Sequence, residues 1–368
     1  MSTQGGNHQR IDCPPINRSR YKALKRLGWG LSSRRRFFFA LDLRQIVDLL
    51  PTLMGSIVEA IRFLGPENCA VSIVEGFSTD GTYEVLKSLQ REMDNLGVFY
   101  YLQTSDINSH YGDRIGKLAK LRNLALEPMM ADAAKWDHDT TILFINDVAI
   151  CTDDILELLY QKQLQGADMT CSMDYHRLYG RSNQRLAFYD VWVSRSMDGN
   201  SFFEVPGHGD WRHAWDMLPN DAHARARFED RKPFQVFACW NGATAITAAP
   251  FLDGQLEFRR AAKHRGECGA GEPTLLCKDM WNMGYNKILV VPSVSLGYSL
   301  QEGSHVKRVK GYTSSWTGVE QNSQLALKVQ WNPSPPEMVK CIPSWRNQFW
   351  KQWNHGLGVP PDMRRNGQ

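Results

Sequence analysis

The sequence lacks an apolar run long enough to cross a membrane. No stretch of about 18 or more apolar residues occurs in the 368-residue chain, and the first residues, MSTQGGNHQR, contain no apolar signal-peptide segment. We therefore expect no membrane span in this chain: either the protein is cytosolic, or a targeting and anchor segment has been removed. The formal net charge is only +4, which argues against a nucleic-acid partner, because such proteins usually carry a concentrated basic face.

The signatures of several enzyme classes are also missing. The sequence contains no Walker A motif, no G-x-G-x-x-G motif and no G-x-S-x-G motif, which argues against P-loop, dehydrogenase and serine-hydrolase activities. None of the eight cysteines forms a C-x-x-C pair, so a structural zinc site is not expected. An even number of cysteines permits disulfides, but a chain of this length does not require them.

The sequence has enough apolar residues for a large folded core. Apolar residues make up 42% of the chain and charged residues 22%, which excludes global disorder. Apolar runs predict strands at 37–41, 70–74, 98–102 and 141–145, and helical periodicity predicts helices at 45–64, 83–93 and 115–126. This alternation predicts an α/β fold with a doubly wound, mostly parallel central sheet flanked by helices. Short strands near 236–240 and 244–247 predict an added small antiparallel sheet.

Three sequence segments, in a fixed order, carry the functional hypothesis. The first is the turn after the second strand, with Glu75, Ser78 and Asp80. In a doubly wound sheet the carboxyl end of a strand opens into the ligand crevice, where an acidic side chain can accept hydrogen bonds from a base or a ribose. An ordinary strand–turn–helix connection, with Asp80 as a cap, explains the same residues equally well.

The second segment lies on the predicted helix 115–126 and carries Lys117, Arg122 and Asn123. Basic side chains on a helix that precedes a strand can reach the oxygens of a diphosphate. A solvated basic helix face is the alternative.

The third segment is the end of the strand 141–145, where Asn146 and Asp147 follow four apolar residues. A single carboxylate beside a nucleotide diphosphate suits Mn²⁺ or Mg²⁺, because these hard ions accept few protein ligands when phosphates supply the rest. An Asn-Asp turn or helix cap is the alternative.

The order of these three segments resembles the nucleotide-sugar half of a GT-A glycosyltransferase. Further motifs resemble the fungal capsule-associated α-1,3-mannosyltransferases, glycosyltransferase family 69. The resemblance covers about residues 37–298 and is carried by Val71-Ser72-Ile73-Val74-Glu75-Gly76, Leu121-Arg122-Asn123, Phe144-Ile145-Asn146-Asp147-Val148, Met173-Asp174-Tyr175, Phe188-Tyr189-Asp190-Val191-Trp192, Cys239-Trp240-Asn241-Gly242 and Cys277-Lys278-Asp279-Met280-Trp281. The chain departs from the usual pattern at two places: it has Asn-Asp-Val where Asp-x-Asp is typical, and Gly271-Glu272-Pro273 where Ser-Glu-Cys is typical.

The resemblance implies a retaining transfer of mannose from GDP-mannose to a mannose-containing glycan acceptor, with an α-1,3 linkage and Mn²⁺ (or Mg²⁺) as cofactor. It also implies the Golgi lumen, where family members are type II membrane proteins, so this chain resembles a soluble catalytic domain or an atypical member; a cytosolic location stays open. Two alternatives stay open as well: the same fold using a UDP-sugar, and a catalytically degenerate glycan-binding protein.

The predicted domain organisation follows from composition and from the resemblance. Residues 1–30 are polar and basic and are predicted to be a stem or arm. Residues 31–310 are predicted to form a GT-A-like domain, with a donor half at about 31–165 and an acceptor half at about 166–310. Residues 311–368 are predicted to be a tail that docks on the core, and five of the twelve tryptophans lie in it: Trp316, Trp331, Trp345, Trp350 and Trp353.

The second half supplies the remaining candidate residues. Glu267, Glu272 and Asp279 are predicted to be catalytic, because Glu272 precedes a helix-starting proline and Asp279 lies two turns further on the same face. Helix capping by Glu272 and an exposed Asp279 are the alternative. Asp174, Asp190, Trp240 and Asn241 are predicted to bind the acceptor.

Two further residues are candidates for binding the donor or its metal ion. Arg195 can meet a phosphate with two hydrogen bonds, or form a structural ion pair with an aspartate. His305 is a candidate second metal ligand beside Asp147, because GT-A enzymes often place a late ligand after the last strand.

Overall fold

The structure is a computed structural model that describes residues 11–26, 35–178, 185–317 and 327–357. Its strands are β1 Arg35–Leu43, β2 Cys69–Glu75, β3 Phe99–Thr104, β4 Trp136–Ile145, β5 Met169–Leu178, β6 Arg185–Phe188, β7 Phe234–Gln235, β8 Ala243–Thr247, β9 Ile288–Leu296, β10 Met338–Ser344 and β11 Asn347–Gln352. Its helices are α1 Lys22–Arg26, α2 Leu50–Leu64, α3 Thr82–Leu96, α4 Arg114–Ala131, α5 Thr152–Gln165, α6 Ala222–Glu229, α7 Ala249–Leu252, α8 Glu272–Asn282, α9 Leu300–Lys310 and α10 Thr313–Thr317.

The central sheet has the strand order β3-β2-β1-β4-β8-β5-β9-β7, and β6 pairs with β5. The strands β1 to β4 are parallel to one another where they pair, and β5 is parallel to β9. Strand β8 is antiparallel to both β4 and β5, so β5 and β9 run in the same direction as β4. The predicted mostly parallel sheet is therefore confirmed. A small antiparallel sheet is also present, but it is formed by β10 and β11. The segment predicted at 244–247 is β8 of the central sheet, and no strand covers 236–240.

Alternating side chains of the central strands build a core on each face of the sheet. In β1, Phe37, Phe39 and Leu41 pack on the face covered by α2 and α5, whereas Phe38 and Ala40 pack on the face covered by α4 and α8. Because both faces are covered by helices, the parallel strands are apolar almost throughout rather than alternating with polar residues. Among the described residues no helix has the length and apolarity needed to cross a membrane.

Side-chain hydrogen bonds fix the starts of α4 and α5. The Asp113 carboxylate accepts a hydrogen bond from the Gly116 amide at the start of α4 (3.1 Å). The Asp154 carboxylate accepts from the Cys151 amide at the start of α5 (2.8 Å).

Three disulfides join distant parts of the chain: Cys13–Cys151, Cys171–Cys239 and Cys268–Cys341. Cys69 and Cys277 are buried free thiols. The first disulfide and a buried Tyr21, whose hydroxyl donates to Glu157, hold residues 11–26 against the core. The third attaches the β10–β11 hairpin to the segment before α8. The described parts of the predicted stem and tail thus contact the core, and the domain boundaries stay a prediction.

Candidate active site

A cavity of about 940 Å³ opens at the carboxyl ends of β1 and β4. We call it the acidic cavity, because four carboxylates line it together with three arginines: Asp42, Asp147, Asp190 and Glu272, and Arg44, Arg114 and Arg122. The β1 and β4 ends, the first turns of α4 and α8, the segment 189–193, Tyr298 and Trp345 form its wall. This position agrees with the rule that ligands of doubly wound sheets bind beyond the strand carboxyl ends.

Asp42 and Asp147 lie at the ends of two strands that are neighbours in the sheet, since Leu41 pairs with Ile145. Burial raises the pKa of each carboxyl to about 6, and their mutual repulsion adds to the shift of Asp42. No ion pair joins either carboxylate to a described residue. Carboxylate oxygens with excess negative charge are the donor set that Mn²⁺ and Mg²⁺ prefer, so these two residues fit a divalent metal ion.

Arg122 and Glu272 form a buried ion pair in the same wall. The Arg122 Nε atom donates to Glu272 Oε1 at 2.9 Å, and the guanidinium carbon lies 4.1 Å from the centre of the Trp240 ring. The Nη1 atom of Arg122 is buried and has no hydrogen-bond partner among the described residues. A buried donor without a partner is costly, so this Nη1 atom is suited to an oxyanion or a hydroxyl that enters the cavity.

A second carboxylate pair is formed by Asp190, which lines the acidic cavity, and Asp174, which lies buried behind it. Asp190 lines the cavity and accepts from the Asn241 amide at 2.9 Å, and Asp174 accepts from the Asp190 amide at 3.2 Å and from the Tyr298 hydroxyl at 2.7 Å. Burial raises the pKa of Asp190 to about 6, and burial followed by repulsion from Asp190 raises the pKa of Asp174. Asp174 and Asn241 are fully buried, so they position Asp190 and do not line the cavity themselves.

The turn after β2 is held by its own polar side chains. Glu75 is only 1% exposed, and its two carboxylate oxygens accept from the Phe77 and Ser78 amides at 3.1 and 2.8 Å. Ser78 Oγ and the Asp80 carboxylate accept from the Gln45 and Val47 amides, which ties this turn to the β1–α2 loop. These contacts agree with the alternative interpretation of a self-capped turn, and Glu75 is buried and does not line the acidic cavity.

Four further predicted residues lie outside the cavity wall in the described part of the chain. The Lys117 Nζ atom donates to the Asn108 and Tyr111 carbonyls, and the Asn123 amide group pairs with the backbone of Phe258. Arg195 is 1% exposed and donates to the carbonyls of Trp192, Ser194 and Lys340. These carbonyl contacts leave the buried guanidinium unable to reach a diphosphate in this conformation. His305 lies on α9 and does not line the cavity that contains Asp147.

Glu267 and Asp279 form ion pairs with Arg259, whereas Glu272 forms its ion pair with Arg122. The Arg259 guanidinium lies 2.6 Å from the Glu267 carboxylate and 2.6 Å from the Asp279 carboxylate. Lys278 Nζ lies 2.8 Å from Glu267. Burial alone would raise the pKa of Glu267, but hydrogen bonds from Arg259, Ala262 and Lys278 outweigh it and lower the pKa to about 2. Asp279 borders a second cavity, of about 1140 Å³, and not the acidic cavity. The three predicted catalytic acids are therefore divided between two places.

One other acidic cluster has the ligand types of a metal site. Cys151, Asp153 and Asp154 place donor atoms within 4.8 Å of one another. Cys151, however, is bonded to Cys13, and Asp154 contacts Lys307 Nζ at 2.6 Å and the Thr313 hydroxyl at 2.6 Å. The cluster therefore holds α5 against α9 and α10.

Several residues of the acidic cavity were not identified from the sequence. Asp42 follows the apolar run of the first strand, and the strand-end rule that selected Asp147 would also have selected it. Arg114 is the first residue of α4 and directly follows the helix cap Asp113. Trp192 and Trp345 contact each other edge to face, with ring centres 4.6 Å apart, although they lie far apart in the chain. No local pattern predicts that contact.

The chain is similar to a characterised group of fungal enzymes. Residues 36–279 match the family model described as cryptococcal mannosyltransferase 1. The chain is 33% identical over 349 residues to "Alpha-1,3-mannosyltransferase CMT1" of Cryptococcus neoformans var. neoformans serotype D, which covers 91% of this chain and 73% of that protein.

Similar solved structures include the mannosyltransferase PcManGT of Pyrobaculum calidifontis in complex with GDP-Man and Mn²⁺ (TM-score 0.39, 12% identity, 84% of this chain and 72% of that one). They also include residues 1–349 of S. aureus TarS (TM-score 0.39, 16% identity, 79% and 67%).

The family match contains Asp42, Arg122, Asp147 and Glu272, the residues that form the core of the acidic cavity. It spans well over half of the chain, and the sequence relative matches nearly all of it. The predicted family resemblance is thereby confirmed: the chain belongs to the cryptococcal mannosyltransferase 1 family.

Proposed function

We propose that this protein is a retaining mannosyltransferase that transfers mannose from GDP-mannose to a mannose-containing glycan and forms an α-1,3 linkage. The observation that carries the proposal is the acidic cavity, in which Asp42, Asp147 and Glu272 surround a buried arginine at the strand carboxyl ends. Mannosyl transfer is supported by the 33% identical α-1,3-mannosyltransferase. GDP-mannose, the retained configuration and the linkage come from the family resemblance.

Asp147 and Asp42 would hold Mn²⁺ or Mg²⁺ in this proposal. The ion, when bound, neutralises negative charge on the diphosphate leaving group. The two carboxylates suit it because neither has a cationic partner among the described residues.

Arg122 is proposed to contact a phosphate oxygen of the donor. Its Nε atom is committed to Glu272, but Nη1 is buried and has no partner among the described residues, so it can donate one charge-assisted hydrogen bond. Stacking on Trp240 holds the guanidinium plane in place. Arg44 and Arg114 supply further positive charge at the cavity rim.

Glu272 is proposed to act on the incoming hydroxyl. In a retaining transfer on one face, the acceptor oxygen bonds to the anomeric carbon while the bond to the phosphate oxygen breaks, and the departing phosphate takes the hydroxyl proton. The carboxylate then orients the hydroxyl and stabilises positive charge at the anomeric carbon. Arg122 keeps Glu272 in position for both tasks. Glu267 and Asp279 are left out of this role, because their oxygens are committed to Arg259.

The acceptor is proposed to lie between Asp190 and the aromatic wall of Trp192, Trp240 and Trp345. Asp190 is the carboxylate that can accept sugar hydroxyls, and Asp174 and Asn241 fix it from behind. Aromatic faces are suited to the apolar faces of sugars.

The Golgi lumen is the proposed location. Three disulfides in the folded chain support an oxidising compartment, because disulfides form and persist in the secretory route and are rare in the cytosol.

The test is a donor panel with purified protein, an α-mannobiose acceptor and Mn²⁺. We expect GDP release and a new α-1,3-linked mannose, identified by NMR, with GDP-mannose. The panel includes UDP-sugars because Glu75, the residue predicted to contact guanine, is buried and does not line the acidic cavity. Faster turnover of a UDP-sugar than of GDP-mannose would refute GDP-mannose as the donor. Glycan binding without turnover of any donor would favour the degenerate binding protein, and a β-linked product would refute retention.

A further inference from the structure

The second cavity adjoins the acidic cavity and has the opposite charge. It is lined by the start of α4, by residues 255–265 and by Asp279 on α8. Its wall carries five side chains that are always cationic, against three carboxylates: Arg114, Arg259, Arg260, Lys263 and Arg265, against Asp113, Glu257 and Asp279. We call it the basic cavity.

Two of these cations are already neutralised by neighbours. Arg259 is held by Glu267 and Asp279, and Arg260 Nη1 contacts the Asp113 carboxylate at 3.0 Å. By contrast, Arg114, Lys263 and Arg265 have no ion-pair or side-chain hydrogen-bond partner among the residues that the structure describes, and all three are exposed. The net positive charge of the basic cavity therefore resides on side chains that are free to meet an anion.

The turn that presents Lys263 and Arg265 is held firmly. The Ala262 amide donates to Glu267 at 2.7 Å, and Lys351 Nζ donates to the Gly266 carbonyl, so both ends of this turn are tied to the core. The disulfide Cys268–Cys341 lies directly after it. A fixed backbone reduces the entropy that is lost when cationic side chains close on a ligand.

The two cavities meet at the start of α4, because Arg114 and Ile115 line both of them. A glycan whose reacting hydroxyl lies in the acidic cavity can therefore extend past Arg114 into the basic cavity. With the donor in the acidic cavity, an anionic substituent of the acceptor would be repelled there by the donor diphosphate, and Lys263 and Arg265 would attract it into the basic cavity. The charge difference between the cavities thus gives an anionic acceptor one orientation.

We propose that the basic cavity is an acceptor subsite for an oxyanion, a carboxylate or a phosphate, on the glycan that receives the mannose. Lys263 and Arg265 bind the oxyanion, and Arg114 contacts it at the junction of the cavities. This inference rests on the proposed function for the identity of the reaction, but the binding of an anionic glycan does not require turnover.

The experiment compares three mannoside acceptors of equal length in the full chain: a neutral one, one that carries a uronate and one that carries a phosphate. We expect a KM about tenfold lower for at least one anionic acceptor than for the neutral one, the scale of two solvent-exposed charge contacts. The anionic acceptor with the lower KM identifies the oxyanion. The double variant Lys263→Gln, Arg265→Gln should lose this preference. A matched double variant on exposed helix faces, Arg91→Gln, Lys120→Gln, should retain it.

Two further readouts separate the subsite from the catalytic proposal. Calorimetry with the phosphate-bearing and uronate-bearing mannosides, without donor, should give a Kd about tenfold higher in the Lys263/Arg265 variant. Raising the salt from about 0.05 to 0.5 M should shrink the preference, because it shortens the screening length. If no acceptor is mannosylated but this Kd difference is found, the proposed function fails and the subsite stands. Equal KM and Kd values for neutral and anionic mannosides would overturn the subsite proposal. A preference that the Lys263/Arg265 variant retains would overturn it as well.

Discussion

The acidic and basic cavities share one wall, yet their carboxylates are in opposite situations. Asp42 and Asp147 have no cationic partner among the described residues, and burial raises the pKa of each to about 6. Glu267, behind the basic cavity, is also shielded from solvent, but its hydrogen bonds from Arg259, Ala262 and Lys278 lower its pKa to about 2. Carboxylates that the protein leaves unsatisfied are available for a ligand, whereas satisfied ones hold the fold.

The helix α8 runs past both cavities and explains why its two acids separate. Seven residues bring Asp279 back to the same face as Glu272, but they also advance it by about 10 Å along the helix axis. Glu272 therefore opens on the acidic cavity and Asp279 on the basic one. Sharing a helix face did not place the two carboxylates in one site.

The largest effect should come from removing the unpaired carboxylate at the end of β4. We expect Asp147→Asn to lower the rate of mannosyl transfer at least about 10³-fold. The metal ion that is proposed to neutralise the donor diphosphate would lose a protein ligand. Mn²⁺ affinity, measured by calorimetry with GDP, should fall in parallel. The exposed Asp139 on the same strand is the matched control, and Asp139→Asn should be fully active. Full wild-type activity in a chelator would contradict the metal role.

The next largest effect concerns Glu267, behind the basic cavity, and its contribution to the free energy of unfolding. Because the pKa of Glu267 is about 2 in the folded chain and 4.5 as a reference, its charge stabilises the fold above pH 4.5, and this contribution is lost as the pH falls towards 2. We expect Glu267→Gln to lower the free energy of unfolding by about 3 kcal/mol at pH 7 and by little near pH 2.

Denaturant unfolding across this pH range measures the Glu267 difference. The exposed Glu257 nearby provides the control, and Glu257→Gln should change stability by less than about 0.5 kcal/mol at any pH. A Glu267 difference that does not vary with pH would show that the ion pairs with Arg259 are not its cause.

A paired comparison on α8 tests the division of its acids. We expect Glu272→Gln to lower kcat about 10²-fold with GDP affinity nearly unchanged, because an orienting contact to the acceptor is lost. The matching Asp279→Asn change should leave kcat within about threefold and act on the acceptor KM. Steady-state kinetics and GDP titration decide between them. Loss of GDP binding in the Glu272 variant would move that residue to the donor side.

The smallest effect should come from the aromatic wall. We expect Trp345→Ala to raise the acceptor KM about fivefold, the scale of one lost ring contact, and to leave the donor KM unchanged. Trp350, which is 44% exposed on the same hairpin, serves as the control in Trp350→Ala. Equal effects of the two substitutions would point to hairpin stability instead of sugar contact.

The sheet could be predicted from sequence, because strand-forming and helical periods alternate clearly from β1 to α5. Asp147 could be placed for the same reason, since it follows an unbroken apolar strand. The role of Glu75 could not be predicted as securely, because a carboxylate at a strand end can contact a ligand or cap its own turn. Its hydrogen bonds from the Phe77 and Ser78 amides depend on the folded conformation of the turn.

The rest depends on contacts between residues that are distant in sequence. Arg122 and Glu272 are 150 positions apart, and nothing local predicts their ion pair. Arg195 carries the charge of a phosphate ligand, but its burial among backbone carbonyls follows from how the β10–β11 hairpin docks. The sequence-based hypothesis of its phosphate contact has no support in the geometry.

The position of Trp345 in that hairpin has a consequence for synthesis. A ribosome makes the strands that carry Asp42 and Asp147 long before the hairpin, and Cys268 must wait 73 positions for its partner Cys341. The strands that carry Asp42 and Asp147 are therefore synthesised well before the cavity wall is complete. A chain released before residue 338 would retain the acidic carboxylates but would lack one disulfide and one wall of the cavity. Completion of the cavity wall, and of the Cys268–Cys341 bond, therefore depends on a segment that is synthesised long after Asp42 and Asp147.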